Sequence, residues 1–364
     1  MVFVLFGTYE SGRQPRMAVL REGLEAQGIK AVECNEPLGI DTGRRVEMLR
    51  KPWLLAGLAV RVVAGWFRLW RRARRLPPPS AVVVGYLGAL DVHLARRIWA
   101  RTSIVLDQMT SLRETAEDRG SSNRTLMRVL SACDRAAVRA ADVVMVDTDE
   151  HRELLPEEAR SRAIVAPIGA GGAWFEAASS PEEESLRVVF YGAFTPLQGG
   201  PVIGEAIGML HDSGAPLRFT MIGDGQDHDL TRRLARDASA VRWIPWVEAS
   251  ELPRLVAAHD VCLGIFGTSP KALRVVPHKV VEGAAAGCAV VTSDTPPQRR
   301  AFGEAALYVR PGDAKELARV LEMLANDREQ LRAMRTIVRR LAKERLSPAA
   351  VAAPVAAAFG SPRV

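Results

Sequence analysis

"FYGAFTPLQGG" spans residues 190–200, and the fold turns on how it is understood. An apolar run from Arg187 to Tyr191 enters Gly192 and a turn, and a helix begins near Pro201. A phosphate-holding loop, a plain strand-to-helix corner and the opening of a second domain all begin this way. The flanking sequence decides among them.

Upstream, "VFVLFG" (2–7), "KAVEC" (30–34), "AVVVGY", "TSIVLD" and "ADVVMVD" (141–147) are short apolar runs separated by helical stretches. One of these stretches, "RMAVLREGLEAQG", has helical apolar spacing and stops at Gly28. The small, polar, acidic "AASSPEEES" (177–185) is a linker. Beyond it the alternation restarts with "RVVFYG", "LRFTMIG", "VRWI", "DVCLGIFG", "CAVVTSD" and "ALYVRPG". Strands alternating with helices imply parallel pairing. The expected fold is α/β, with two Rossmann-like domains facing a cleft. Residues 1–176 form the N-terminal domain and 186–345 the C-terminal one. Residues 346–364 are a tail whose return to the N-terminal domain is left open. The opening stretch thus starts the second domain, with Gly192 at a strand's carboxyl end. Ligands in open α/β sheets sit beyond those ends, so the natural site is the cleft.

The bulk properties agree. A chain of 364 residues suggests about two domains. An apolar fraction of 48 % with 25 % charged residues excludes disordered and fibrous classes. Cys34, Cys133, Cys262 and Cys288 show no CxxC spacing, and "MVFVLFG" lacks the basic region and cleavage site of a secretory signal. Reduced thiols and a cytoplasmic location are expected. The net charge of +7 is uneven: residues 1–175 hold 26 Lys and Arg against 20 Asp and Glu, and residues 176–364 hold 23 against 22. An anionic partner is therefore expected at the N-terminal half. A membrane surface, a phosphorylated ligand and nucleic acid all fit charge alone.

Chemistry concentrates in the second half. "MIGDGQDHDL" (221–230) places Gly223 and Gly225 directly after a strand, either to admit a phosphate or simply to turn. Ser250 is a candidate cap for the next helix. In "FGTSPKALRVVPHKVVEGAAAGCAVVTSD" (266–294), Lys271, Arg274 and Lys279 gather near a helix start, where cations can hold a diphosphate. Glu282 shares a helix face with Lys279 and can accept from ribose hydroxyls. A solvated Lys–Glu pair is the plainer alternative. No paired carboxylates stand where a metal is expected; "DTDE" (147–150) follows a strand and suits a helix cap. His228 and His278 are single histidines. No metal and no cofactor are expected.

These segments resemble the donor domain of retaining glycosyltransferases of the GT-B fold, family 4. That family shows a strand–Gly loop, a "GdG" strand end, a "W/G-V" loop and a "P-x-K-x-x-E-x-x-A-x-G-x-P-V-V" segment. Here they read "FYGAFTPLQGG", "MIGDGQ", "IPWV" and "PHKVVEGAAAGCAVV". The resemblance implies a UDP-, GDP- or dTDP-sugar donor, a base near Trp246 and Val247, and a ribose on Glu282. It also implies that Gly7, in "FGTYESGRQPR", lets an N-terminal loop approach the diphosphate. Attack would come from the leaving-group face, with the departing phosphate taking the acceptor's proton and no protein nucleophile. The chain departs from the family at Ala193 or Phe194, Gln198 and Arg274, where many members carry Arg, Lys and Glu. Phosphate binding is then expected to shift to Lys271, Arg274 and Lys279. A binding protein without catalysis and a two-domain sugar-nucleotide epimerase are the alternatives.

The acceptor falls to the N-terminal half, through Asp107, Ser111 and Arg119 in "DQMTSLRETAEDRG" (107–120) or else through none of this loop. A glycan, a lipid-linked sugar or a natural product fits, and nucleic acid is not expected. In "WLLAGLAVRVVAGWFRLWRRARR" (53–75), Arg61, Arg68, Arg71, Arg72 and Arg75 take one arc at 100° per residue and Val62, Trp66, Leu69 and Trp70 the other. That face either packs on the sheet or lies on the inner face of an anionic membrane.

Overall fold

Runs that are apolar at every position need burial on both faces, and parallel strands flanked by helices supply it. The structure is a computed structural model and describes residues 1–10, 14–39, 52–86, 88–118, 120–178, 183–236 and 239–360. The first sheet holds β1 (Val2–Gly7), β2 (Lys30–Asn35), β3 (Ala81–Val84), β4 (Ser103–Asp107), β5 (Val143–Val146) and β6 (Ala163–Val165). Its order is β2-β1-β3-β4-β5-β6, parallel throughout. The second holds β7 (Leu186–Tyr191), β8 (Leu217–Ile222), β9 (Val241–Ile244), β10 (Val261–Leu263), β11 (Ala289–Ser293) and β12 (Leu307–Val309). Its order is β12-β11-β10-β7-β8-β9, again parallel. The order reverses between β7 and β10, the switch point where such sheets open a crevice.

The two-residue side-chain period of a strand explains the layering. Phe3 and Leu5 join Met17, Leu20, Leu24 and Val355 on one side of the first sheet. Val4 and Phe6 join Leu69, Val92 and Ala137 on the other. In the second unit Val188, Phe190 and Leu263 anchor a core with Phe194, Ile207, Leu317 and Leu321.

The chain divides into Met1–Pro167 with Pro348–Val364, and Ile168–Ser347. The first division precedes the acidic stretch because the helix Gly172–Glu176 belongs with the second unit: Trp174 stacks on Tyr191 at 6.1 Å and 15°. The helix Pro348–Gly360 crosses the helix Pro15–Ala26 at Gly23. A Cβ at Gly23 would lie 1.9 Å from the Pro348 carbonyl oxygen.

Three details depart from the sequence. The short β6, three residues partly buried along their length, is not among the runs named above. β10 stops at Leu263, within the run 260–267, where Gly264 packs under Thr292: a Cβ there would lie 2.0 Å from the hydroxyl. The chain then leaves the sheet but stays buried, and the Phe266 amide donates to the Gln198 carbonyl. Ser250 caps nothing. The helix Leu252–Ala257 starts later, from Glu251, with no side-chain cap and with Pro253, which has no N–H, in its first turn. Thr148 does cap the helix Asp149–Leu154, accepting from the His151 amide at 3.2 Å.

Adding one methyl at the Gly23 crossing meets backbone that cannot rotate away. Gly23→Ala is expected to destabilise the first unit by about 1–3 kcal/mol, the usual size of overpacking. A denaturant melt followed by circular dichroism checks it, and an unchanged midpoint contradicts it.

Candidate functional site

The carboxyl ends of β7, β8, β9 and β10 carry the loops singled out in the sequence. Glycine here first serves packing between loops. A Cβ at Gly223 would lie 1.9 Å from the Gly192 carbonyl oxygen, and one at Gly225 would lie 1.8 Å from that of Ala193. The loops after β7 and β8 therefore meet backbone to backbone. Phe194, held at φ 41°, is fully buried between them. His228 sets its ring edge-on to Phe194 at 5.1 Å and to Trp243 at 5.3 Å, which accounts for it as a packing residue.

The loop after β7 then brings Gln198 over Gly192, where a Cβ would lie 2.3 Å from the Gln198 Oε1. Gly199 adopts the left-handed conformation at φ 66°, and the helix Gly200–Asp212 begins. Against this corner lies the helix His278–Ala285. Lys279 and Glu282 share one of its faces, and that face is inward: each is 6 % exposed. The solvated-pair alternative is thereby removed. The Lys279 ammonium donates to the Gln198 Oε1 at 3.1 Å and lies 3.8 Å from the Phe190 ring centroid. The Tyr191 hydroxyl donates to the Glu282 Oε2 at 2.7 Å and lies 3.3 Å from the Lys279 carbonyl.

Burial moves both charges toward neutrality. It pulls the Lys279 ammonium down from 10.5 to about 7, with only the nearby Cys262 and Glu282 opposing it. It pushes the Glu282 carboxyl up to about 7, against the Tyr191 hydrogen bond and the Lys279 charge. The site holds a cation whose charge is open to change by any anion that arrives.

Lys271 and Arg274 are half-buried in the loop after β10, Lys271 just before the turn Ala272–Arg274 and Arg274 at its end. In the loop after β9, Trp246 is 59 % exposed and its indole N–H donates to Glu248 at 3.3 Å, while Val247 is partly buried. Lys279 and Glu282 thus come together with two residues the sequence did not assign to a site, Tyr191 and Gln198. The Gln198 partner lies 81 positions away. Only the tertiary fold reveals that pairing.

The first unit's polar residues are occupied differently. The Asp107 carboxylate is fully buried and tied by both oxygens to Arg16 at 3.0 Å, whose remaining nitrogens reach the Ala166 and Pro167 carbonyls. Asp107 is therefore no exposed acceptor wall; it fixes a helix to a strand end. Ser111 forms a reciprocal capping box with Glu114, its hydroxyl accepting from the Glu114 amide at 3.0 Å. Arg119 lies outside the described residues. A Cβ at Gly7 would meet the Tyr9 ring at 3.2 Å and the Asp91 carboxylate at 3.3 Å, so this glycine makes room for its own unit. Asp91 accepts from the Thr8 amide and hydroxyl and from the Trp66 indole. Among the described residues, no group of three or more His, Cys, Asp or Glu converges as a metal site.

Residues 185–327 match the family model described as Glycosyl transferases group 1. No curated protein matches the sequence. The sucrose-phosphate synthase of Thermosynechococcus elongatus superposes at a TM-score of 0.72 and 12 % identity, covering 99 % of this chain and 98 % of its own. Anabaena HepE in complex with UDP and glucose gives 0.68 and 14 %, with 99 % of each chain covered. The Escherichia coli trehalose-6-phosphate enzyme bound with UDP-2-fluoro glucose gives 0.68 and 12 %, covering 100 % of this chain and 99 % of its own. At such identities the likeness is one of fold. The two parallel six-stranded sheets are those of GT-B glycosyltransferases.

A lysine held below its unfolded-state pKa weakens the fold fully below pH about 7, and the penalty fades as pH rises toward 10.5. Lys279→Met is expected to raise the unfolding midpoint more at pH about 6 than at about 9. Thermal melts at the two values check this, and an equal shift at both contradicts it.

Proposed function

We propose that the chain is a glycosyltransferase that moves a sugar from a nucleoside-diphosphate donor to an acceptor hydroxyl, with retention and without a metal. One observation carries the proposal: Lys279 and Glu282 lie buried together at the second sheet's switch point, inside the segment that matches the glycosyltransferase model. Lys271, Arg274 and Lys279 bind the diphosphate and Glu282 accepts from the ribose. The exposed Trp246 ring and the backbone at Val247 take the base. The complexes of HepE with UDP-glucose and of the trehalose-6-phosphate enzyme with a UDP-sugar favour uridine as the first base to try.

In the bond-breaking step the diphosphate leaves with its negative charge growing. Fixed cations stabilise that charge without rearrangement, which is the service a metal would otherwise perform. An ammonium at about 7 gains its proton fully once a diphosphate is beside it. The acceptor hydroxyl attacks from the side the phosphate leaves, and the departing phosphate oxygen takes its proton. The acceptor is a glycan, a lipid-linked sugar or a natural product, and its binding is assigned to the first unit.

UDP-glucose, GDP-sugars and dTDP-sugars incubated with the protein separate the outcomes. Transfer or slow hydrolysis with retained anomeric configuration supports the proposal. Epimerised donor, or binding with no turnover on any donor, overturns it. Glu282→Gln is expected to lose turnover while circular dichroism is unchanged, and full activity would remove the ribose role. Lys271→Ala should weaken nucleoside-diphosphate binding by about 1.5–3 kcal/mol, the size of a charge-assisted hydrogen bond. Turnover is expected to persist in EDTA; loss that magnesium or manganese restores would exclude the metal-free step.

A further inference from the structure

The helix Pro52–Ala73 has two apolar sides, and among the described residues only one of them is buried. Gly65, Leu69 and Ala73 are buried, with Trp66 partly so, and Leu69 joins the first unit's core. The apolar arc expected from the sequence is therefore split, because Trp70 turns away from Leu69. On the outer side Val60, Val63, Phe67 and Trp70 are 69, 64, 57 and 39 % exposed. Their spacing of three and four residues draws one stripe along the helix. Phe67 and Trp70 stack at 6.0 Å. The Arg71 and Arg74 guanidinium groups lie over those two rings, at 5.9 and 4.7 Å from their centroids.

The basic side runs beside this stripe. Arg61, Arg71, Arg74 and Arg75 are exposed. Arg68 and Arg72 share one carboxylate, that of Glu36, at 3.1 and 3.0 Å, so two positive charges meet a single negative one. The helix cannot span: among the described residues none is long and apolar enough to cross a membrane. An exposed aromatic-aliphatic stripe edged by arginines matches a surface that is apolar beneath and anionic above. We propose that Val60, Val63, Phe67 and Trp70 dock the protein on an anionic lipid bilayer, with Arg61, Arg71, Arg74 and Arg75 at the headgroups. Each such arginine adds attraction that salt screens. Docking of this kind needs no turnover and stands apart from the transferase proposal.

Co-sedimentation tests it with vesicles of phosphatidylcholine plus phosphatidylglycerol and with phosphatidylcholine alone, at low and high salt. Wild type is expected to pellet with the anionic vesicles at low salt, to be released by high salt, and to stay in solution with phosphatidylcholine alone. Phe67→Glu/Trp70→Glu is expected to stay in solution with an unchanged melt, since both side chains face outward. The proposal is overturned if wild type does not pellet, if it pellets equally with neutral vesicles, or if the double variant pellets as wild type does. It is also overturned if wild type self-associates through this face, with association lost in the double variant and no vesicle binding.

Discussion

A lysine in a dry place is the constraint around which the second unit's site is organised. Desolvating an ammonium costs several kcal/mol unless hydrogen bonds and charges answer it. Around Lys279 the answers are few: the Gln198 amide oxygen, the face of Phe190, the nearby Cys262 and Glu282 one turn away. Burial wins, and the ammonium sits near its titration point. A loose surface lysine would meet a diphosphate with its charge already paid to water. A desolvated one gains its full interaction when the anion arrives, so the same burial that weakens the fold strengthens the site.

Backbone contact holds this arrangement in place. The loops after β7 and β8 touch through Gly192, Gly223 and Gly225, where a side chain has no room. That closeness sets Gln198 over Gly192 and beside Lys279. Tyr191, the last residue of β7, completes the other half by donating to Glu282, while its ring rests on Trp174. Strand end, loop and helix are thus locked by three different forces: steric exclusion, a hydrogen bond to a buried carboxyl and ring stacking.

In the first unit two buried carboxylates are answered from within. Arg16 answers Asp107, and Asp91 gathers Thr8 and Trp66. Its distinctive feature lies on the helix Pro52–Ala73, whose buried side stabilises the core while its outer side stays apolar and exposed. The fold alone gives no reason for that second stripe, since four exposed apolar side chains of that size add nothing to folding.

Much of this was legible in the chain itself. Apolar runs such as "VFVLFG" and "RVVFYG" have to be buried on both faces, so they announce parallel strands and the two sheets. The Lys279–Glu282 spacing places both groups on one helical face whatever surrounds it. Local periodicity sets these features, and it survives any packing. The tertiary structure decided what depends on distant partners. It turned the Lys279 face inward against Gln198, buried Asp107 on Arg16 from an earlier helix, and placed the helix start after Ser250. It also split one apolar arc of the helix Pro52–Ala73 into a core side and an outer side. A helical wheel records only which residues share a direction. Which directions meet protein is set by the neighbouring elements, and those contacts are written nowhere in the local sequence.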